Sequence, residues 1–183
     1  NRIERGGRTG IALLGVATST IRGNRLAQIT GVHGNAITLY LNNRGALVEA
    51  NTVTRSTRPM TLHGVKSTTG PGDHNFVITH NVFVADADGI AALISWGANT
   101  RGVAITGNIL IGPRAGIRLT PTDTGITIAN NISSGLVVTG ARPGDWKVGG
   151  DREISARNAT QIEATLAQGG QLPADICTSL QAA

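Results

Sequence analysis

One tripeptide constrains this chain more than any other feature: asparagine, then any residue, then usually an aliphatic residue or Phe. It stands at Asn1-Arg2-Ile3, Asn24-Arg25-Leu26, Asn51-Thr52-Val53, Asn81-Val82-Phe83, Asn108-Ile109-Leu110 and, with Ser in third place, Asn131-Ile132-Ser133. Successive asparagines are 23, 27, 30, 27 and 23 residues apart. Three residues before each internal Asn comes Ile21, Val48, Ile78, Ile105 or Ile128. A period of this length marks a stack of repeated units, each too small to bury its own apolar face.

A second phase lies between the asparagines. Gly10-Ile11-Ala12-Leu13, Ala36-Ile37-Thr38-Leu39, Pro59-Met60-Thr61-Leu62, Gly89-Ile90-Ala91-Ala92 and Gly116-Ile117-Arg118-Leu119 each begin a short segment. Most of them alternate apolar with other residues at period two, as a strand with one buried face must. Each repeat thus holds three short strands, the second and third meeting at the Asn. The bend there calls for a left-handed backbone, which Asn tolerates better than other non-glycine residues. Its side-chain amide can also bond to the equivalent Asn about 4.8 Å along the stack. These asparagines are therefore read as architecture rather than as a site.

The expected fold is all-β: a right-handed, single-stranded parallel β-helix of about five to six coils over 1–139, with an asparagine ladder. The pattern resembles the repeat of the pectate-lyase-like superfamily, which includes polysaccharide lyases, glycoside hydrolases, uronan epimerases and phage tailspikes. That resemblance implies the scaffold and leaves the chemistry open, since one fold hosts many activities. The polygalacturonase-type paired Asp and Gly-His-Gly are missing, and Leu62-His63-Gly64 is a poor echo. The Asp-Pro-His of uronan epimerases is missing too, since Asp73-His74 lacks the Pro.

Function on a solenoid concentrates where coils exceed the minimum, because insertions map to loops. The second coil carries extra residues at Thr30-Gly31-Val32-His33-Gly34. The third and fourth are expanded after their first strand, over 66–75 and 95–101. The outward positions there stack into two columns: Leu14, Tyr40, His63 and Thr120, and two residues earlier Ala12, Thr38, Thr61, Ala91 and Arg118. A bulge at Ala91-Ala92-Leu93 would disturb the fourth coil's register.

Tyr40, His63, Lys66 and Arg118 are the candidate catalytic residues. A lyase on a uronate polymer must neutralise a carboxylate, remove the C5 proton and protonate the leaving oxygen. Arg or Lys suits the first task, and Tyr, His or Lys the others. The competing reading, polar decoration of an exposed strand face, fits the same residues. Hydrolysis needs two carboxylates across the bond, and none pair on the first strand. Trp96, His74, Arg58 and Arg101 are the candidate substrate-binding residues, Trp96 by stacking on a sugar. Asp86 and Asp88 precede Gly89 and could share a calcium ion, although Asx before Gly is first of all a turn former.

The formal charge is +5, and fourteen of the sixteen basic residues are Arg. That balance favours a polyanionic partner, here an acidic polysaccharide. Nucleic acid is not expected, because aromatic interleaving and familiar motifs are lacking. No stretch of about 18 apolar residues suggests a membrane span. The single Cys177 rules out an intrachain disulfide. The chain starts inside a repeat and without Met, so an N-terminal part of the solenoid is expected to be missing. Residues 140–158 read as irregular. Thr160-Gln161-Ile162-Glu163 reads as a capping box opening a helix that stops at Gly169-Gly170, and Pro173 to Leu180 as a second short helix. Together they would cap the open end of the stack.

The leading expectation is thus a secreted or surface-exposed protein binding or cleaving an acidic polysaccharide, by β-elimination if it is an enzyme. The alternative is a non-catalytic phage or cell-surface fibre, trimeric if fibre-like. A third is a catalytically empty fragment.

Overall fold

The computed structural model describes residues 1–64, 74–96, 100–138, 146–154 and 156–168. The chain winds through β1 (Arg2–Glu4), β2 (Thr9–Leu14) and β3 (Ala17–Arg22), then β4 (Arg25–Ala27), β5 (Asn35–Tyr40) and β6 (Arg44–Glu49). Next come β7 (Thr52–Ser56), β8 (Arg58–His63) and β9 (His74–Thr79), then β10 (Val82–Ala85), β11 (Ala91–Ser95) and β12 (Arg101–Thr106). The last coils are β13 (Ile109–Ile111), β14 (Ala115–Leu119) and β15 (Ile126–Ala129), then β16 (Ile132–Ser133), β17 (Leu136–Val138) and β18 (Trp146–Gly149), with β19 (Arg152–Glu153) closing the series. One helix, α1 (Ala156–Ala167), follows.

Every third strand joins the same parallel sheet. The ladder sheet has seven strands, from β1 to β19; the cleft sheet has six, from β2 to β17; the third sheet has six, from β3 to β18. The inner residues form one continuous core: Ile37, Leu39, Met60, Leu62, Phe76, Ile78, Phe83, Leu93, Ile105 and Ile117 among others. Each such side chain contributes about 1.5–3 kcal/mol by leaving water.

The ladder is complete. Asn1 Nδ2 donates to Asn24 Oδ1 at 2.8 Å, Asn24 to Asn51 at 2.9 Å, Asn51 to Asn81 at 2.9 Å, Asn81 to Asn108 at 3.0 Å and Asn108 to Asn131 at 2.9 Å. Each internal rung also donates its backbone N–H to the next Oδ1, as Asn51 does to Asn81 at 3.0 Å. A buried amide is thereby left with no unmet group, which is what permits its burial. The left-handed residue is the one before each internal rung: Gly23, Ala50, His80, Gly107 and Asn130 before an Asn, and Gly150 before Asp151, have φ between 52° and 70°. The asparagine's own role is hydrogen bonding, and the bend belongs to its neighbour.

Three expectations for the C-terminal part are corrected. The stack does not fade at 139: β18 pairs with β15 and β19 with β16. Asp151 is the last rung among the described residues, accepting from Asn131 N and Nδ2 at 2.8 Å each. A carboxylate accepts but has no N–H to pass on, so it terminates the ladder chemically. Second, α1 begins at Ala156, so Thr160 to Glu163 lie inside the helix, one turn after its start. Third, α1 lies along the flank of the ladder sheet. Ile162 and Leu166 pack with Val82, Val84, Ile109, Ile111 and Ile132, which form the apolar outer face of β10, β13 and β16. Twelve residues span about 18 Å, the width of roughly four strands, so the helix shields a face and not the end of the stack. The helix expected at Pro173 to Leu180 lies outside the described residues.

Candidate functional site

The outer face of the cleft sheet carries the site. Tyr40 is paired in register with Leu14 on one side and His63 on the other. The Tyr40 and His63 rings lie 4.4 Å apart between centroids, tilted by 47°. The bulge expected at Ala91-Ala92-Leu93 is not there: β11 runs in constant register against both neighbours, Ala91, Leu93 and Ile94 facing Ala115, Ile117 and Arg118, so that Leu93, three residues after Ile90, is the partner of Ile117. The second column therefore reads Ala12, Thr38, Thr61, Ile94, Arg118, with Ile94 replacing the expected Ala91. The same shift carries Trp96 beside His63, its N–H donating to Leu62 O at 2.7 Å.

Arg58 starts β8, one strand from Asn35. Its guanidinium carbon sits 5.0 Å from the centre of the Trp96 ring, a cation–π contact that holds the charge in place. Arg58 Nε is buried and makes no protein hydrogen bond. Arg8 and His33 reach in from the loops leading to β2 and β5. Together Arg8, His33, Tyr40, Arg58, His63 and Trp96 line a hollow of about 400 Å³, and none of its described lining residues is acidic. Thr38 and Thr61 form its floor, and Thr61 donates to Asn35 Oδ1 at 3.3 Å.

Burial pushes the His63 imidazole below its ordinary value, and the Arg58 and His33 charges add to that. A backbone hydrogen bond opposes the fall, and the balance favours the neutral ring. Behind the site, Asp123 is fully buried and accepts from Ser95 Oγ at 3.0 Å and from Thr120 N at 2.7 Å. Burial raises its carboxyl, its hydrogen bonds opposing the rise. Ser95 immediately precedes Trp96, so this contact fixes the end of β11 from which the indole projects.

The other predicted residues fall elsewhere. Arg118 shares the outer face but stands two strands from Thr61, beyond Ile94. His74 and Arg101 pair with each other on the third sheet, around a corner from Tyr40. Lys66 lies outside the described residues. Asp86 uses Oδ1 to accept from Ala87 N at 2.8 Å and its carbonyl to accept from Gly89 N, as a turn former does, and Asp88 is exposed beside it. Among the described residues no group of three His, Cys, Asp or Glu could hold a metal ion. Arg8 and His33 were not predicted. The enlarged second coil was the signal for His33; for Arg8 the sequence held none. A second hollow of about 420 Å³ opens where α1 stops, but Arg2 and Glu4 in its lining already pair at 2.7 Å.

The class is therefore a parallel β-solenoid with one cationic, aromatic-lined hollow on its first sheet. The chain belongs to the right-handed β-helix family: the family model described as "right handed beta helix region" matches residues 1–133. That match concerns architecture and does not single out the pectate-lyase-like group. No curated protein and no solved structure matches the chain. No described helix is long and apolar enough to cross a membrane.

Proposed function

We propose that this hollow binds an acidic polysaccharide and that it is built for β-elimination on a uronate unit. The observation that carries the reading is the close Tyr40–His63 ring pair beside an Arg58 held by Trp96, in a hollow whose described lining bears cations and no carboxylate. Arg58 neutralises the sugar carboxylate, which acidifies the C5 proton. His63, kept neutral by its surroundings, takes that proton. The electron pair forms the C4–C5 double bond, the C4–oxygen bond breaks, and the Tyr40 hydroxyl protonates the leaving oxygen. Trp96 gives the adjoining sugar a ring to lie against. Such polymers lie outside cells, which fits a secreted or surface location.

The test follows the ultraviolet absorbance of the new double bond during incubation with a panel of uronate polymers. A rise that His63→Gln and Tyr40→Phe abolish supports elimination. Because His63 titrates below its ordinary value, the acid limb of the rate profile should fall below pH ~6.5, and His33→Gln should move it upward by removing a nearby charge. Retention on the polymers without any rise reduces the reading to binding. The competing fibre reading expects no groove on this sheet, so the hollow itself weighs against it. Neither rise nor retention would favour the fibre.

A further inference from the structure

The geometry points to a second, non-catalytic track for the same acidic polymer on the third sheet, made by Arg44, His74 and Arg101. This rests in part on the reading of the hollow as a polysaccharide site. The three residues are register partners on β6, β9 and β12, so their side chains stand about 4.8 Å apart in a line along the stack. Arg44 and Arg101 are exposed, and no described carboxylate forms an ion pair with either. Arg44 and Arg101 stand two strands apart across His74, so two exposed cations lie about 10 Å from each other along the stack. The row therefore gains from an outside polyanion whose charges repeat at similar intervals. Thr20, Leu47, Val77, Ala104 and Thr127, in the neighbouring outward column, are uncharged, and Glu49, the described carboxylate of this sheet, already accepts from Arg22 Nε at 2.7 Å.

Place and direction give the row its role. Arg44 follows Tyr40 by four residues, across the turn through Asn43, so the row and the hollow flank one corner and both run along the stack. A polymer longer than the hollow can engage both, and the second contact becomes intramolecular. Among the described residues no tyrosine pairs with His74 as Tyr40 does with His63, so the contribution of the row is retention.

The experiment measures affinity for alginate, as a long polymer and as short oligomers, over a range of salt. It compares wild type with Arg44→Glu/Arg101→Glu, with Arg25→Glu/Arg114→Glu as a control of equal charge change on other faces. Melting curves verify that each variant is folded. The expected result is about a tenfold or greater loss for the long polymer in the first variant, little loss for short oligomers, and a salt slope smaller by about 2. The control should lose much less. Equal losses in both variants, or unchanged long-polymer binding in the first, would overturn the track. Arg58→Ala separates the two readings. If it leaves all binding intact while Arg44→Glu/Arg101→Glu abolishes it, the hollow is not the site and the row stands alone.

Discussion

The two corners that bound the third sheet are built in opposite ways. At the ladder corner, six coils present the same side chain in the same place, and each amide repeats its neighbour's hydrogen bonds. At the corner between the cleft sheet and the third sheet, Val16, Asn43, Thr100 and Asp123 occupy equivalent places and each coil solves its polar problem separately. Asn43 accepts from Val16 N at 3.0 Å and donates to Leu13 O and Tyr40 O, while Asp123 turns to Ser95 and Thr120. Chain length varies only slightly at the first corner. At the second, β5 and β6 are three residues apart, whereas β8 and β9 are ten apart. A continuous ladder forbids insertion, because one slipped rung breaks the bonds above and below it. The other corner tolerates length change, and the hollow and the arginine row both border it.

Asn81→Ala tests the difference most severely. It leaves Asn51 N and Nδ2 without an acceptor and Val48 O without a donor, all inside the stack. The expected cost is about 3–5 kcal/mol in urea unfolding, against about 1–3 kcal/mol for Asn43→Ala. Equal costs would erase the distinction. Asp123 sharpens it through pH. Its carboxyl is raised in the folded state, so the stability it contributes is complete in acid and is lost as pH rises through the folded value. The stability of wild type minus that of Asp123→Asn should therefore be greatest in acid and decline with rising pH. A difference that grows with pH would contradict the assigned environment.

Two smaller effects probe the ladder corner and the flank of its sheet. Ala50 holds φ at 52° just before a rung, where glycine stands in other coils. Ala50→Gly should raise stability by about 0.5–1 kcal/mol, measured as a shift in melting midpoint. Any loss would mean the backbone strain is not there. Glu163 on α1 has its carboxyl raised by burial and by the Asp86 charge. It is largely exposed, so Glu163→Gln should stabilise α1 by no more than about 0.5 kcal/mol at neutral pH, with the gain vanishing in acid.

The ladder was legible because hydrogen bonding demands one residue type at one phase, and sequence records that directly. Asp151 escaped the pattern because a terminal rung needs only an acceptor, so Asp serves there as well as Asn. The left-handed position was assigned to Asn itself, since Asn tolerates it, yet Gly, Ala, His and Asn share that role one residue earlier. Tyr40 and His63 could be paired because their strands are regular. Ile94 and the seat of Trp96 could not, because Gly89-Ile90 imitates the start of the strand while the paired residues begin three positions later, and that slip moves everything after it. His74 and Arg101 were grouped with the hollow because spacing along the chain does not reveal which side of a corner a residue occupies. The flank position of α1 depended on the apolar outer face of β10, β13 and β16, where Val82, Val84, Ile109 and Ile111 looked like ordinary core residues.

The most direct test of the account is a crystal structure with a short uronate oligomer bound. The account predicts a sugar carboxylate on the Arg58 guanidinium, a ring against Trp96, and C5 facing His63. An oligomer seated on another face, with the hollow empty, would contradict it.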